Sequence, residues 1–258
     1  MKTDMIASSG PELLSNFPMS RRGFWHSQTM TIARFTLLIY LKSAWSWGEL
    51  IFVVSMAGVL FKFPGDVNYY AGVANGILSF TAFVGTAILI HRSMTARLYL
   101  PLSRLHSRAA YMRGVIIAAA VLRIPLYLAF QISALALAGI TGATFGNMLI
   151  AALGGITLSI VASVITATFS PPQATRMARI ILLTWFAVIL YSSTSAPLAA
   201  VIEFTRIPLA PLAACYTATL TGVVTLWTLA GFVLSWGYVI GLTWLASHWL
   251  EQRDLILH

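Results

Sequence analysis

Long apolar segments separated by short polar stretches dominate the chain. Each segment is close to the roughly 20 apolar residues that a helix needs to cross a bilayer. No Asp, Glu, Lys or Arg occurs between Arg123 and Arg176 or between Arg206 and Glu251. The pattern predicts an all-α polytopic membrane protein with six crossings, at about 45–63, 69–90, 114–138, 146–169, 180–196 and 218–247.

The segment before the first crossing, residues 24–43, has a different pattern. Ser27, Thr31, Arg34 and Lys42 recur at near-helical spacing and form one polar stripe, while the opposite side is apolar and includes Tyr40. This arrangement is typical of an amphipathic helix that lies in the membrane interface. We therefore expect a short cytoplasmic tail at 1–23, followed by one transmembrane domain, 24–258, that opens with an elbow helix at 24–43.

Residues 197–216, before the last predicted crossing, are apolar but contain Pro197, Pro208 and Pro211. A proline inside a helix costs about 3 kcal/mol, so a straight spanning helix is disfavoured. A re-entrant hairpin of two half-helices agrees with both the prolines and the apolar composition. Glu203 and Arg206 are three residues apart and either pair locally at the outer surface or form part of an external gate.

Composition and charge support this interpretation. The 258 residues are 59% hydrophobic and 9% charged, whereas a soluble domain carries about 25% charged residues. The net charge of +9 agrees with the tendency of Lys and Arg to remain in cytoplasmic loops. With both termini in the cytoplasm, thirteen of the sixteen Lys and Arg residues lie inside the cell. We therefore expect a multi-pass cell-membrane protein in contact with lipid, and no nucleic-acid partner.

Candidate chemistry is sparse. The single cysteine, Cys215, excludes an internal disulfide, and the five histidines all fall at or beyond predicted cytoplasmic helix ends. We find no metal-binding or phosphate-binding motif, so we predict no catalytic residue, no metal site and no cofactor in this chain. Glu49 and Arg123 are the two charged residues within crossings. They are candidates for a substrate path or gate, or for a structural ion pair, and Arg123 could instead extend to the lipid headgroups.

The cytoplasmic stretch 91–113 carries five arginines and no acidic residue. Within it, Tyr99-Leu100-Pro101-Leu102-Ser103-Arg104 resembles the Leu-Pro-x-Ser-Arg loop of type-2 ABC transporter permeases. The elbow helix, the six crossings and the re-entrant segment follow the plan of the same family. The resemblance implies that 91–113 forms a coupling segment that docks on a separate ATPase subunit, through Leu100, Pro101, Leu102, Ser103, Arg104 and Arg108. Alternatively, this stretch is a basic loop that touches only lipid headgroups.

The resemblance implies a permease subunit of an ATP-driven exporter that moves a hydrophobic or amphipathic substrate. Its partners would be the ABC ATPase subunit, which holds ATP and Mg, and a second copy or a homologue of the permease. The alternative is a non-catalytic structural subunit of a respiratory or photosynthetic membrane complex. An intramembrane enzyme is the least favoured class, because paired acids or a nucleophile with a base are absent from the sequence.

Overall fold

The computed structural model describes residues 21–63, 65–93, 107–137, 140–169 and 210–252. In these ranges the chain forms a bundle of helices with one minimal pair of strands. The helices are α1 (Arg21–Leu41), α2 (Ala44–Leu60), α3 (Val67–Ser93), α4 (Arg108–Leu137), α5 (Phe145–Phe169), α6 (Ala210–Thr221) and α7 (Leu226–Gln252), and the strands are β1 (Gly65–Asp66) and β2 (Ile140–Thr141).

The described helices confirm the predicted class of an all-α membrane protein. Four of them, α3, α4, α5 and α7, are long and apolar enough to cross a membrane. The sequential helices α1 and α2, bent by 71° at their junction, would make a fifth span if they count as one. The predicted crossing at 180–196 lies outside the described residues, so the sixth crossing stays a prediction.

Most of the predicted boundaries agree with the helices, with two differences. Helix α4 begins at Arg108 instead of residue 114, because the Ser107 hydroxyl accepts a hydrogen bond from the Ala110 amide (3.3 Å) and caps the helix six residues earlier. The predicted sixth crossing, 218–247, is divided. Helix α6 ends at Thr221, Gly222 adopts a left-handed φ of 65°, and α7 starts only at Leu226.

The two ends of the bundle are held by different contacts. At one end, which we call the strand end, β1 pairs with β2 in parallel, and the Thr141 hydroxyl donates to the Gly65 carbonyl (3.0 Å). At the opposite end, which we call the loop end, the Ser107 hydroxyl donates to Glu251 (3.3 Å). The 94–106 connection between α3 and α4 starts and finishes at this loop end.

The apolar core runs along the interfaces of α3, α4 and α5. Near the strand end, Phe130 packs against Phe61 and Tyr70 with ring centroids 5.9 and 6.1 Å apart. Gly155 lets α5 lie directly against the Tyr127 ring, because a Cβ atom at this position would overlap that ring. The Tyr127 hydroxyl then donates to the Ala151 carbonyl (2.8 Å). This packing fixes the arrangement of α3, α4 and α5 on which the site below depends.

Candidate functional site

The two charged residues predicted within crossings meet in the structure. Arg123 lies near the midpoint of α4, and its Nη1 is 2.6 Å from Oε1 of Glu49 on α2. Their side chains are only 2% and 8% exposed. An ion pair is one of the arrangements that the sequence left open for these residues, and it is the arrangement that the structure adopts.

Two further residues complete what we call the Glu49 cluster, which consists of Tyr40, Glu49, Gly85 and Arg123. The Tyr40 hydroxyl, on α1, donates to Oε2 of Glu49 (2.6 Å). The Nε of Arg123 donates to the Ala119 carbonyl one turn earlier in α4 (3.3 Å). On α3, Gly85 leaves the space that the pair occupies, because a Cβ atom there would lie 2.6 Å from Glu49 Oε1 and 3.0 Å from Arg123 Nη2.

The cluster satisfies its charges inside the protein. A charged side chain in a membrane-spanning segment is costly unless it is paired, and a buried pair needs hydrogen bonds to its remaining polar atoms. Here each carboxylate oxygen of Glu49 has one donor, from Arg123 or from Tyr40. Charge-assisted hydrogen bonds of this kind are about twice as strong as neutral ones. The cluster therefore joins α1, α2 and α4 around a charge-neutral centre.

The bend between α1 and α2 brings Tyr40 and Glu49 together. Helix α1 ends at Leu41 and α2 begins at Ala44. At this break the Tyr40 carbonyl accepts from the amide (2.9 Å) and the hydroxyl (2.6 Å) of Ser43, and the Ser43 carbonyl accepts from the amide (3.2 Å) and the hydroxyl (2.9 Å) of Ser46. With the 71° bend, a tyrosine and a carboxylate nine residues apart face each other.

An apolar groove of about 320 Å³ lies beside the cluster, between the end of α1 and helices α2 and α3. Glu49 is among the residues that line the groove. Phe80 and Trp45 are 52% and 50% exposed, so the groove is open along the surface of the described helices. Its lining residues are Tyr40, Trp45, Gly48, Glu49, Phe52, Phe80, Thr81, Val84, Gly85 and Ile88.

A second polar contact lies on the other side of α3. The Asn75 side-chain amide donates to the Thr219 hydroxyl (2.6 Å) and so joins α3 to α6. Thr219 in turn donates to the Tyr216 carbonyl (2.7 Å). Among the described residues, the Asn75 carbonyl oxygen and the Tyr70 hydroxyl have no hydrogen-bond partner, although both are fully buried. We call Asn75 and Thr219 the Asn75 contact.

Helices α6 and α7 form a helical hairpin that the Asn75 contact holds to the bundle. A Cβ atom at Gly231 of α7 would lie 2.7 Å from the Ala214 side chain and 2.8 Å from the Pro211 carbonyl of α6. The thiol of Cys215, also on α6, donates to the Gly154 carbonyl of α5 (3.9 Å). Helix α6 is thus packed between α3, α5 and α7.

Several predicted site residues cannot be placed. Leu100, Pro101, Leu102, Ser103 and Arg104 of the coupling motif lie outside the described residues, as do Glu203 and Arg206 of the re-entrant segment. The last of the predicted docking residues, Arg108, is half-buried and opens α4. The described parts of the coupling segment, 91–93 and 107–113, are the end of α3 and the start of α4 with the residue before it.

The structure adds functional candidates that sequence reasoning missed. Tyr40 was placed on the apolar side of the elbow helix, and Gly85 and Asn75 were not singled out. A signal was present for Asn75, an uncharged but strongly polar residue in the middle of an apolar segment. For Tyr40 and Gly85 the sequence carried no comparable signal. Within the described ranges, no three His, Cys, Asp or Glu residues come together in a group that could hold a metal ion.

Comparison with models of known protein families found no matching family, and comparison with curated proteins found no similar sequence.

Proposed function

We propose that the chain is the transmembrane permease subunit of an ATP-driven ABC exporter for a hydrophobic or amphipathic substrate. The observation that carries the proposal is the break at Gly222, whose left-handed φ of 65° ends α6 at Thr221 before α7 begins at Leu226. Helix α6 is packed within the bundle against α3, α5 and α7. Broken helices buried among other helices are typical of the substrate pathways of transporters. This geometry supports the predicted re-entrant segment 197–216, of which α6 includes residues 210–216.

The bend between α1 and α2 supports the predicted elbow helix. Arg34 on α1 and Lys42 at the bend are exposed, and Trp45 and Trp47 are exposed at the start of α2. Cationic and aromatic side chains are typical of a membrane interface. We place the bend at the cytoplasmic interface, so that α1 lies on the cytoplasmic side of the Glu49 cluster.

The distribution of cations supports a cytoplasmic position for the loop end. Arg108 and Arg113 lie in the first turns of α4, near this end, whereas Lys62 lies beside the strand end. Under the positive-inside rule, the 94–106 connection then faces the cytoplasm, where an ATPase subunit would bind Leu100–Arg108. ATP and Mg would be held by that subunit.

Helix α1 offers a route by which force on this connection would reach the bundle. A Cβ atom at Gly114 of α4 would lie 2.7 Å from the Ile32 side chain and 2.9 Å from the Thr29 carbonyl. The first half of α4 and α1 are therefore in direct backbone contact. Movement of the 94–106 connection would displace α1 together with α4, and the Glu49 cluster would transmit this displacement to α2. In a dimer of permeases, such movements would open and close the translocation path.

Purification of the tagged chain in mild detergent tests the proposal. We expect an ATPase with a Walker motif to co-purify. Combined substitution of Leu100, Pro101 and Arg104 by alanine should reduce the stimulation of that ATPase by the permease at least fivefold without lowering the thermal unfolding temperature. The matched control is Lys62→Ala, which removes a cation at the strand end and should leave the stimulation unchanged. Bound haem, chlorophyll or quinone without an ATPase would favour the structural subunit of a respiratory or photosynthetic complex instead.

A further inference from the structure

We propose that the groove between α1, α2 and α3 binds a long-chain alcohol, that is, a hydroxyl-bearing lipid whose hydroxyl donates to Glu49. The interpretation of this lipid as transported substrate rests on the proposed function, whereas its binding to the groove does not. Three features favour such a ligand, namely the shape of the groove, the hydrogen-bonding capacity of Glu49 and the charge balance of the Glu49 cluster.

The walls of the groove suit a hydrocarbon chain. Trp45 and Ile88 lie at the end nearest the α1–α2 bend, while Phe52 and Phe80 lie one to two turns farther along α2 and α3. A volume of about 320 Å³ is at the lower end of the range for small-molecule pockets, about 300–1,000 Å³. Gly48 contributes to this space, because a Cβ atom there would have no neighbour within 4 Å. A single chain from the bilayer can therefore lie along the groove.

Glu49 is the one acidic residue among those that line the groove, and its carboxylate is a hydrogen-bond acceptor. An ionised carboxylate has about four lone-pair positions, and the hydrogen bonds from Arg123 and Tyr40 use two of them. No other hydrogen bond to Glu49 is made within the described part of the chain. The hydroxyl of Thr81, also in the lining, donates to the Leu78 carbonyl (3.0 Å). The groove therefore offers an acceptor to a ligand that brings a hydrogen-bond donor.

The charge balance selects a neutral donor. Arg123 already neutralises Glu49 at 2.6 Å. An ammonium group at the same place would leave one uncompensated positive charge in a largely apolar site, which carries a large desolvation cost. A hydroxyl adds a hydrogen bond without adding charge. If the bend lies at the membrane interface, the hydroxyl sits near headgroup depth and the chain points toward the bilayer centre, which is the natural orientation of an amphiphile.

Photolabelling of the full chain, without an ATPase and in lipid nanodiscs, tests the inference. The probe is a long-chain alcohol with a diazirine on its alkyl chain, and labelled residues are mapped by mass spectrometry. We expect saturable labelling of α2 and α3 between residues 45–52 and 80–88. The unlabelled alcohol should compete at least tenfold better than either the alkane or the primary amine of the same length. Equal competition by the alkane would overturn the role of Glu49, and equal competition by the amine would overturn the charge argument.

Matched glycine variants distinguish binding in the groove from general contact with lipid. Gly48→Leu should fill the groove and reduce labelling at least fivefold. Gly237→Leu on α7 is the control, because a Cβ atom there also has no neighbour within 4 Å, and it should leave labelling unchanged. If Gly48→Leu does not fold, Val84→Trp narrows the same groove, with the exposed Val233→Trp on α7 as its control.

Two results would overturn the proposal. One is labelling spread evenly over α2, α3 and α7, and the other is labelling that rises linearly with probe concentration and does not saturate. The result is independent of the permease hypothesis. If only the proposed function is wrong, no ATPase co-purifies but the labelling of the groove is still observed. If only the groove proposal is wrong, the labelling is not localised but the ATPase still co-purifies and is still stimulated.

Discussion

The Glu49 cluster and the Asn75 contact both involve α3, but their buried polar groups differ in charge and in the number of hydrogen-bond partners. The cluster holds two charges, and each carboxylate oxygen has a donor. The Asn75 contact is neutral and has one hydrogen bond between side chains, while the Asn75 carbonyl oxygen has no partner among the described residues. The first joins helices at the edge of the bundle, beside a groove, and the second holds α6 within the bundle.

The difference shows how the cost of burial depends on charge. An unpaired charge in an apolar interior costs several kcal/mol, so a buried ion pair persists only with nearly complete partners. An unpaired neutral acceptor costs about 1–3 kcal/mol, which the surrounding packing can offset. The predictions below use this comparison, in order of decreasing expected effect on stability.

Removing one charge of the pair should have the largest effect on the free energy of unfolding. Glu49→Leu leaves the guanidinium of Arg123 buried without its partner and should lower the free energy of unfolding by about 3–5 kcal/mol. The double variant Glu49→Leu/Arg123→Met should recover most of that loss, because no charge remains buried. Chemical unfolding in detergent, arranged as a double-mutant cycle, measures both. A double variant no more stable than the single one would show that the pair does not act as a unit.

A methyl group at Gly85 should have a smaller effect on stability, of the same size as that of losing the Tyr40 hydroxyl. Gly85→Ala places a Cβ atom 2.6 Å from Glu49 Oε1 and 3.0 Å from Arg123 Nη2, so the pair must move, at a cost of about 1–3 kcal/mol. Gly76→Ala on the same helix is the control, because its Cβ atom meets nothing within 4 Å. The control should be neutral or stabilising by up to about 1 kcal/mol. Equal thermal unfolding temperatures for the two variants would contradict the close approach at Gly85.

Loss of the Tyr40 hydroxyl tests the connection of α1 to the cluster. Tyr40→Phe removes the donor to Glu49 Oε2 while keeping the ring, and we expect a loss of about 1.5–3 kcal/mol, as for a hydrogen bond to a charged group. Faster hydrogen exchange at α1 amides should accompany the loss, because α1 loses its bond to α2. Protection of α1 equal to that of the unmodified chain would contradict a role for Tyr40 in holding it.

The Asn75 contact should be the least sensitive of the four sites. Asn75→Ala breaks the 2.6 Å hydrogen bond to Thr219 but also removes an unpaired acceptor. We therefore expect a net loss near the average of about 0.6 kcal/mol for hydrogen bonds between membrane helices, to which the small cavity adds. A loss as large as that of Glu49→Leu, measured under the same conditions, would invalidate the contrast between the charged and the neutral site.

The class of protein could be predicted from the sequence. The bounds of α3 and α5 could also be predicted, to within a few residues. A spanning segment is a local property, since about 20 apolar residues in succession already satisfy the length and the hydrophobicity that a bilayer requires. The division of 218–247 at Gly222 was missed, because a glycine in an apolar segment gives no sign of whether its φ is helical or left-handed. The start of α4 depended on a single capping hydroxyl, that of Ser107.

The amino-acid order alone determined that this chain is apolar, helical and suited to a membrane, because those properties follow from each segment by itself. It also marked Glu49 and Arg123 as unusual. The tertiary structure decided that these residues pair, that Tyr40 completes the pair, and that a groove lies beside them. Residues 74 positions apart meet only when the packing of whole helices, the 71° bend and the space left by Gly85 coincide, and no local pattern encodes that coincidence.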